Sequence, residues 1–124
     1  MHGAPYSSQA SLSAARFAAF TCAAGHDIHR IFFYHEGVFA ANRLNVTPQE
    51  ESDLLDLWLD LKAEYDLELT ICIAAALKRG VLNEEERDRY NKSAASIHPA
   101  FEVVGLGQLI DAIIQSDRVV TFAA

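Results

Sequence analysis

The chain has 124 residues, 51% of them hydrophobic, and a formal net charge of −7 at pH 7. That length suits one domain over residues 1–124, able to bury roughly two thirds of its unfolded surface. The acidic balance argues against a nucleic-acid surface, which would cluster Lys and Arg; no apolar run approaches the roughly 20 residues of a membrane span, and two cysteines build no disulfide framework, so a reducing cytoplasm is the expected compartment.

Ser7 or Ser8 is placed to cap a first helix that runs through Ala10, Ala14, Phe17 and Thr21 and stops at Gly25. Its run Phe17–Ala24 has the apolar character of a signal-peptide core but no basic leader, and it fits an amphipathic helix better. The stretch from Ile28 to Tyr34 is rich in β-formers and ends in a continuous apolar run, which predicts a strand covered on both faces. His35 to Val46 reads as a loop. Thr47-Pro48-Gln49-Glu50 then carries a capping residue, a proline at the first helical position and a returning side chain, so the spacing predicts a helix starting there and continuing through Leu54, Leu55, Trp58, Leu61 and Tyr65.

Leu67–Ile73 alternates as a strand does, with Leu67, Leu69, Ile71 and Ile73 on one face and Glu68, Thr70 and Cys72 on the other. Ala74-Ala75-Ala76-Leu77-Lys78-Arg79-Gly80 follows as a helix. Asn83-Glu84-Glu85-Glu86 predicts another capped helix start, in a stretch to Lys92 that reads as solvated. Beyond a loop from Ser93 to Pro99, Phe101–Val104 is expected as a strand, Leu106–Gln115 as a helix and Arg118–Phe122 as a last strand. Strands alternating with helices in this way make a parallel sheet flanked by helices.

The candidate chemistry centres on Cys72, because the carboxyl ends of parallel strands are where ligands and reactions collect and a helix N-terminus favours a thiolate. Taken by itself, a cysteine in an apolar strand reads as a small buried hydrophobe. Cys22, in an alanine-rich helix without polar company, reads as packing. His26, His29 and His35 lack the spacing of a zinc site. Tyr34, His35 and Glu36 end a strand on the edge where Cys72 ends, so they are candidates for its pocket or for a partner contact, as are Lys78 and Arg79. His98, before Pro99, fits a turn or interface better than a general base. Gly105-Leu106-Gly107 is too short for a dinucleotide fingerprint, and Trp58 on its leucine stripe is core or interface.

Several separated motifs, in order, resemble the DsrE/TusD sulfurtransferase subunits: Gly3-Ala4-Pro5-Tyr6 with Gln9-Ala10-Ser11, Phe32-Phe33-Tyr34-His35-Glu36-Gly37-Val38, Cys72-Ile73-Ala74-Ala75-Ala76-Leu77-Lys78-Arg79-Gly80-Val81, Gly105-Leu106-Gly107-Gln108-Leu109, and Asp117-Arg118-Val119-Val120. The resemblance implies a flavodoxin-like α/β fold and a carrier that holds sulfane sulfur as a persulfide, with the family's acceptor cysteine at Cys72 and no metal or organic cofactor. It further implies a cytoplasmic heterohexamer with TusC/DsrF-like and TusB/DsrH-like subunits, a TusA-like donor and a TusE/DsrC-like acceptor, without direct contact to nucleic acid or membrane. The sulfur would end in 2-thiouridine of a tRNA wobble position or in dissimilatory sulfur oxidation; the loop Ser96–Pro99 and the run Gln108–Gln115 lean towards the DsrE side. Family members open with an apolar strand before the Gly-Pro-Tyr-like motif, whereas Met1 and His2 alone precede Gly3, so a sheet lacking the usual first strand is expected. The rival reading is a non-catalytic subunit of the same kind of hexamer with an inert Cys72.

Overall fold

The computed structural model describes residues 1–123 and places three short strands in one parallel sheet, in the order β1 (Ile31–Phe33), β2 (Leu69–Cys72), β3 (Phe101–Val104). Ile31, Phe32 and Phe33 pair with Leu69, Thr70 and Ile71; Leu69 to Cys72 pair with Phe101 to Val104. All four residues of β2 are buried, as expected of a central parallel strand covered on both faces. Its one polar side chain there is satisfied, because the Thr70 hydroxyl donates to the Ile31 carbonyl at 3.0 Å.

Helices α1 (Ala10–Ala23) and α2 (Leu54–Tyr65) pack against each other beside this sheet. Ala14, Ala15 and Ala18 turn inward from α1, and such small side chains permit a close helix approach. From α2 comes Trp58, which meets Phe33 edge-on with ring centroids 5.3 Å apart. Its indole N–H donates to the Ser11 hydroxyl at 3.4 Å, so the largest core residue has a polar partner on α1. The connection from β2 to β3 holds α3 (Ile73–Lys78) and α4 (Glu84–Arg89), and α5 (Leu106–Gln115) follows β3.

The predicted strand Phe101–Val104 and helix Leu106–Gln115 occur with those bounds, and Gly25, at φ +89°, adopts the left-handed conformation that ends α1. Other boundaries moved. The first helix begins at Ala10, whose N–H donates to Ser8 Oγ at 3.3 Å. The helix expected to be capped by Thr47 and to begin at Pro48 begins six residues later, at Leu54, with Asp53 as its cap: its carboxylate accepts from Leu55 N at 2.9 Å and Asp56 N at 3.4 Å. Residues 47–52 carry no apolar side chain to bury, so Pro48 opens a turn closed by Glu51 N to Pro48 O at 3.0 Å. Strands predicted as Ile28–Tyr34 and Leu67–Ile73 shorten to the stretch where both have a partner, and Ile73 becomes the first residue of α3.

Three expectations are corrected. His35–Ala41, read as part of a loop, forms a 3₁₀ helix. Glu86, in a segment read as solvated, is buried, with one carboxylate oxygen 3.6 Å from Arg89 and the other without a hydrogen-bond partner. Arg118–Phe122 is no strand: Val119 and Val120 are exposed, and the segment's contact with the sheet region is the bond from His2 N to Phe122 O at 2.8 Å. The amino end fills the intervening place. Met1 N donates to Phe32 O and Tyr34 N donates to Met1 O, both at 2.9 Å, which is the bond pattern of a parallel ladder beside β1.

Candidate functional site

Cys72 is the last residue of β2 and the N-cap of α3, with an extended backbone (φ −66°, ψ 119°), and it is a free thiol. The strand ends because the alanine-rich run that follows suits a helix and carries no alternation. The thiol residue is only 1% exposed. The 3₁₀ helix His35–Ala41 packs against α3 and β2, the two elements that meet at Cys72.

Tyr34 is brought to Cys72 by register. Phe33 pairs with Ile71, so the next position of β1 stands beside the next position of β2, and alternation puts both side chains on the face shared by Phe32 and Thr70. Three rings cluster at this edge. His35 lies on Tyr34 with centroids 4.0 Å apart, and His2 meets Tyr34 at 5.6 Å and His35 at 4.9 Å, edge-on in both cases. His35 turns the chain with a positive φ of 49°, an uncommon conformation for a side chain of its size. Glu36 follows, exposed, in the first turn of the 3₁₀ helix.

The remaining candidates are not brought to the thiol. Lys78 is exposed in the last turn of α3, about 9 Å further along the axis at 1.5 Å per residue. The Arg79 guanidinium donates to the Ala75 carbonyl at 3.2 Å and so serves the end of the same helix. His98 holds a turn: its Nδ1 accepts from Ala100 N at 3.1 Å, and its backbone N–H donates to Ala41 O at 2.8 Å, tying the loop to the end of the 3₁₀ helix. Cys22 is half-buried, and burial, then Asp27 and Glu64, push its thiol pKa up. Among the described residues no cluster of His, Cys, Asp and Glu could hold a metal ion. A surface groove of about 420 Å³ between the starts of α1 and α2 is lined by Tyr6, Gln9, Leu12 and Glu51, and none of the residues at the Cys72 edge borders it.

Two contributors were not singled out in the sequence. His2 carries no motif; only the ladder contact of Met1 brings it to Tyr34. Gly37 is explained by close approach, since a Cβ there would overlap the Met1 carbonyl oxygen and come within 2.9 Å of its carbon. Its place within Tyr34-His35-Glu36-Gly37 was the available signal. Burial lowers the Met1 α-amino group to about 6, and His2 is lowered by burial, then by that amine and by His35.

The fold and site together define a parallel α/β protein with a buried thiol residue at the carboxyl end of its central strand, where the next helix begins. The chain belongs to the DsrE/DsrF-like family, whose model matches residues 1–122. It is 46% identical over 118 residues to a DsrE protein of Allochromatium vinosum, covering 95% of this chain and 91% of that one. It is 42% identical over 120 residues to sulfurtransferase TusD of Yersinia pestis, covering 97% and 92%. In fold it is similar to the YchN protein of E. coli, with a TM-score of 0.75, 22% identity, and coverage of 98% of this chain and 93% of the other.

Proposed function

We propose that this chain is a sulfurtransferase subunit that carries sulfane sulfur as a persulfide on Cys72 within a sulfur relay. The observation that carries the reading is a thiol at the β2–α3 junction of a chain 42–46% identical to TusD and DsrE proteins. In each transfer the Cys72 thiolate attacks the outer sulfur of a donor persulfide, a new S–S bond forms at Sγ, and the donor thiolate leaves with the electron pair of the old one. No oxidant is consumed. Seclusion of Cys72, 1% exposed, protects the product from side reactions.

The relay reading extends to a TusA-like donor, a TusE/DsrC-like acceptor and a cytoplasmic heterohexamer with TusC/DsrF-like and TusB/DsrH-like subunits. Support for assembly comes from α5, which leaves Leu106, Ile110, Ile113 and Ile114 exposed on one stripe. Destination of the sulfur, tRNA 2-thiolation or sulfur oxidation, is set by those partners, since the thiol chemistry is common to both. The test is intact mass after exposure to a persulfide donor. The expected result is a reductant-sensitive gain of one sulfur atom that survives Cys22→Ser and disappears in Cys72→Ser.

The 1% exposure of Cys72 favours one alternative, a structural subunit with an inert thiol. Under that reading wild type gains no sulfur even with its sibling subunits present.

A further inference from the structure

We propose that His2 and His35 form a proton-donating rim for sulfur transfer at Cys72, one imidazolium protonating the donor thiolate as it leaves. The inference rests on the carrier reading of Cys72 and adds to it the group that handles the proton. Thiolate leaving groups depart faster when they are less basic, and an ordinary thiol with a pKa near 8.5 is basic enough at neutral pH to gain from protonation. Histidine is the side chain whose ordinary pKa suits that task.

Placement carries the argument. Register sets Tyr34 beside Cys72, and both imidazoles rest on Tyr34, at 4.0 and 5.6 Å between centroids, with 4.9 Å between the two histidines. Among the described residues neither imidazole has a hydrogen-bond partner, so their nitrogens are open to an incoming group, and His35 is exposed. His2 is held there by backbone. Met1 bonds to β1 on both sides of Phe33, His2 N bonds to Phe122 O, and Gly37 lacks the Cβ that would push Met1 away. His35 is turned onto the cluster by its left-handed backbone. The other ionisable groups at this edge are the Met1 α-amine, the Tyr34 hydroxyl and Glu36.

The step balances without a co-reactant. Cys72 Sγ bonds to the outer sulfur, the donor S–S bond breaks with its pair on the donor sulfur, and the imidazolium proton moves there to give a neutral thiol. Solvent then restores the imidazolium.

The test compares the rate of sulfur loading on Cys72 from glutathione persulfide, followed by quenched intact mass between pH 5.5 and 8.5, in wild type and in His2→Gln/His35→Asn. Asparagine is chosen because it tolerates the left-handed backbone. The expected result at pH 7 is loading to the same endpoint at a rate ~10- to 100-fold lower, the low end of what a positioned acid supplies and below it, with partial rescue by added imidazole. An aryl disulfide whose thiolate leaves without a proton should modify Cys72 equally fast in both proteins. Equal persulfide rates at every pH overturn the proposal, and so does an equal slowing with both reagents, which would mean altered access. If wild-type Cys72 takes no sulfur from the persulfide yet reacts with the aryl disulfide, the carrier reading itself fails and this one with it.

Discussion

The α1/α2 layer and the α5 region have comparable apolar content but send different shares of it into the core, even though Phe17 and Phe20 of α1 also face solvent. From α1 and α2, Ala14, Ala15, Ala18, Leu54, Trp58 and Leu61 are buried, and the cluster closes on Phe33 and Phe101 with centroid distances of 5.3 Å. From α5, a strongly amphipathic helix, Ala112 alone is fully buried, while Ile114 is 76% exposed and Val119 and Val120 beyond it are also in solvent. An apolar stripe therefore reports that a surface wants covering without saying whether the cover is the chain's own sheet or another molecule.

Substitutions in the two regions measure the difference. Trp58→Ala should be the most damaging, costing about 3–5 kcal/mol through lost burial and a cavity that the surrounding rings cannot fill; a urea denaturation midpoint checks it, and a loss under about 1 kcal/mol would mean that the layer repacks. A smaller effect is expected where the amino end joins β1 to Phe122. The Met1 α-amine has an ordinary pKa of 8.0 and is lowered to about 6 in the fold, so the unfolded chain binds a proton that the folded chain rejects. Stability contributed by its neutral form is full above pH 8, falls between 8 and 6, and changes little below. The partly exposed site limits the loss to on the order of 1 kcal/mol, and acetylating the amine should remove this pH dependence from the thermal midpoint. Smallest of all should be Ile110→Glu/Ile114→Glu, within about 0.5 kcal/mol for the isolated chain because neither side chain is buried. If α5 is the covered face of an assembly, the same pair of changes abolishes co-elution with related subunits.

Much of this was legible in the sequence where local signals and tertiary packing agreed. Gly105 separates Phe101–Val104 from Leu106–Gln115 and Ser116 follows the helix, and the structure kept those bounds. Thr47-Pro48 offered a sound capping pattern, yet Asp53 won because it directly precedes the residues that have a core to enter. Arg118–Phe122 has strand composition but only one backbone bond, to His2, towards the sheet, and composition cannot count partners. Cys72 was found from its place at a strand-to-helix junction and from the family resemblance. His2 was not, since its position depends on the ladder bond from Tyr34 N to Met1 O between residues far apart in sequence, and no local pattern records that contact.

Burial of β2 on both faces also has a meaning in time. Amides sealed in the middle of a ladder exchange their hydrogens only when large parts of a protein open together, whereas exposed segments such as the stretch after Gln115 exchange almost at once. Cys72 closes such a buried strand, so its amide is expected to exchange slowly and its backbone to hold position, which a hydrogen-exchange measurement reads. The element packed over that junction is a seven-residue 3₁₀ helix, longer than such helices usually run, which touches both the end of the strand and α3.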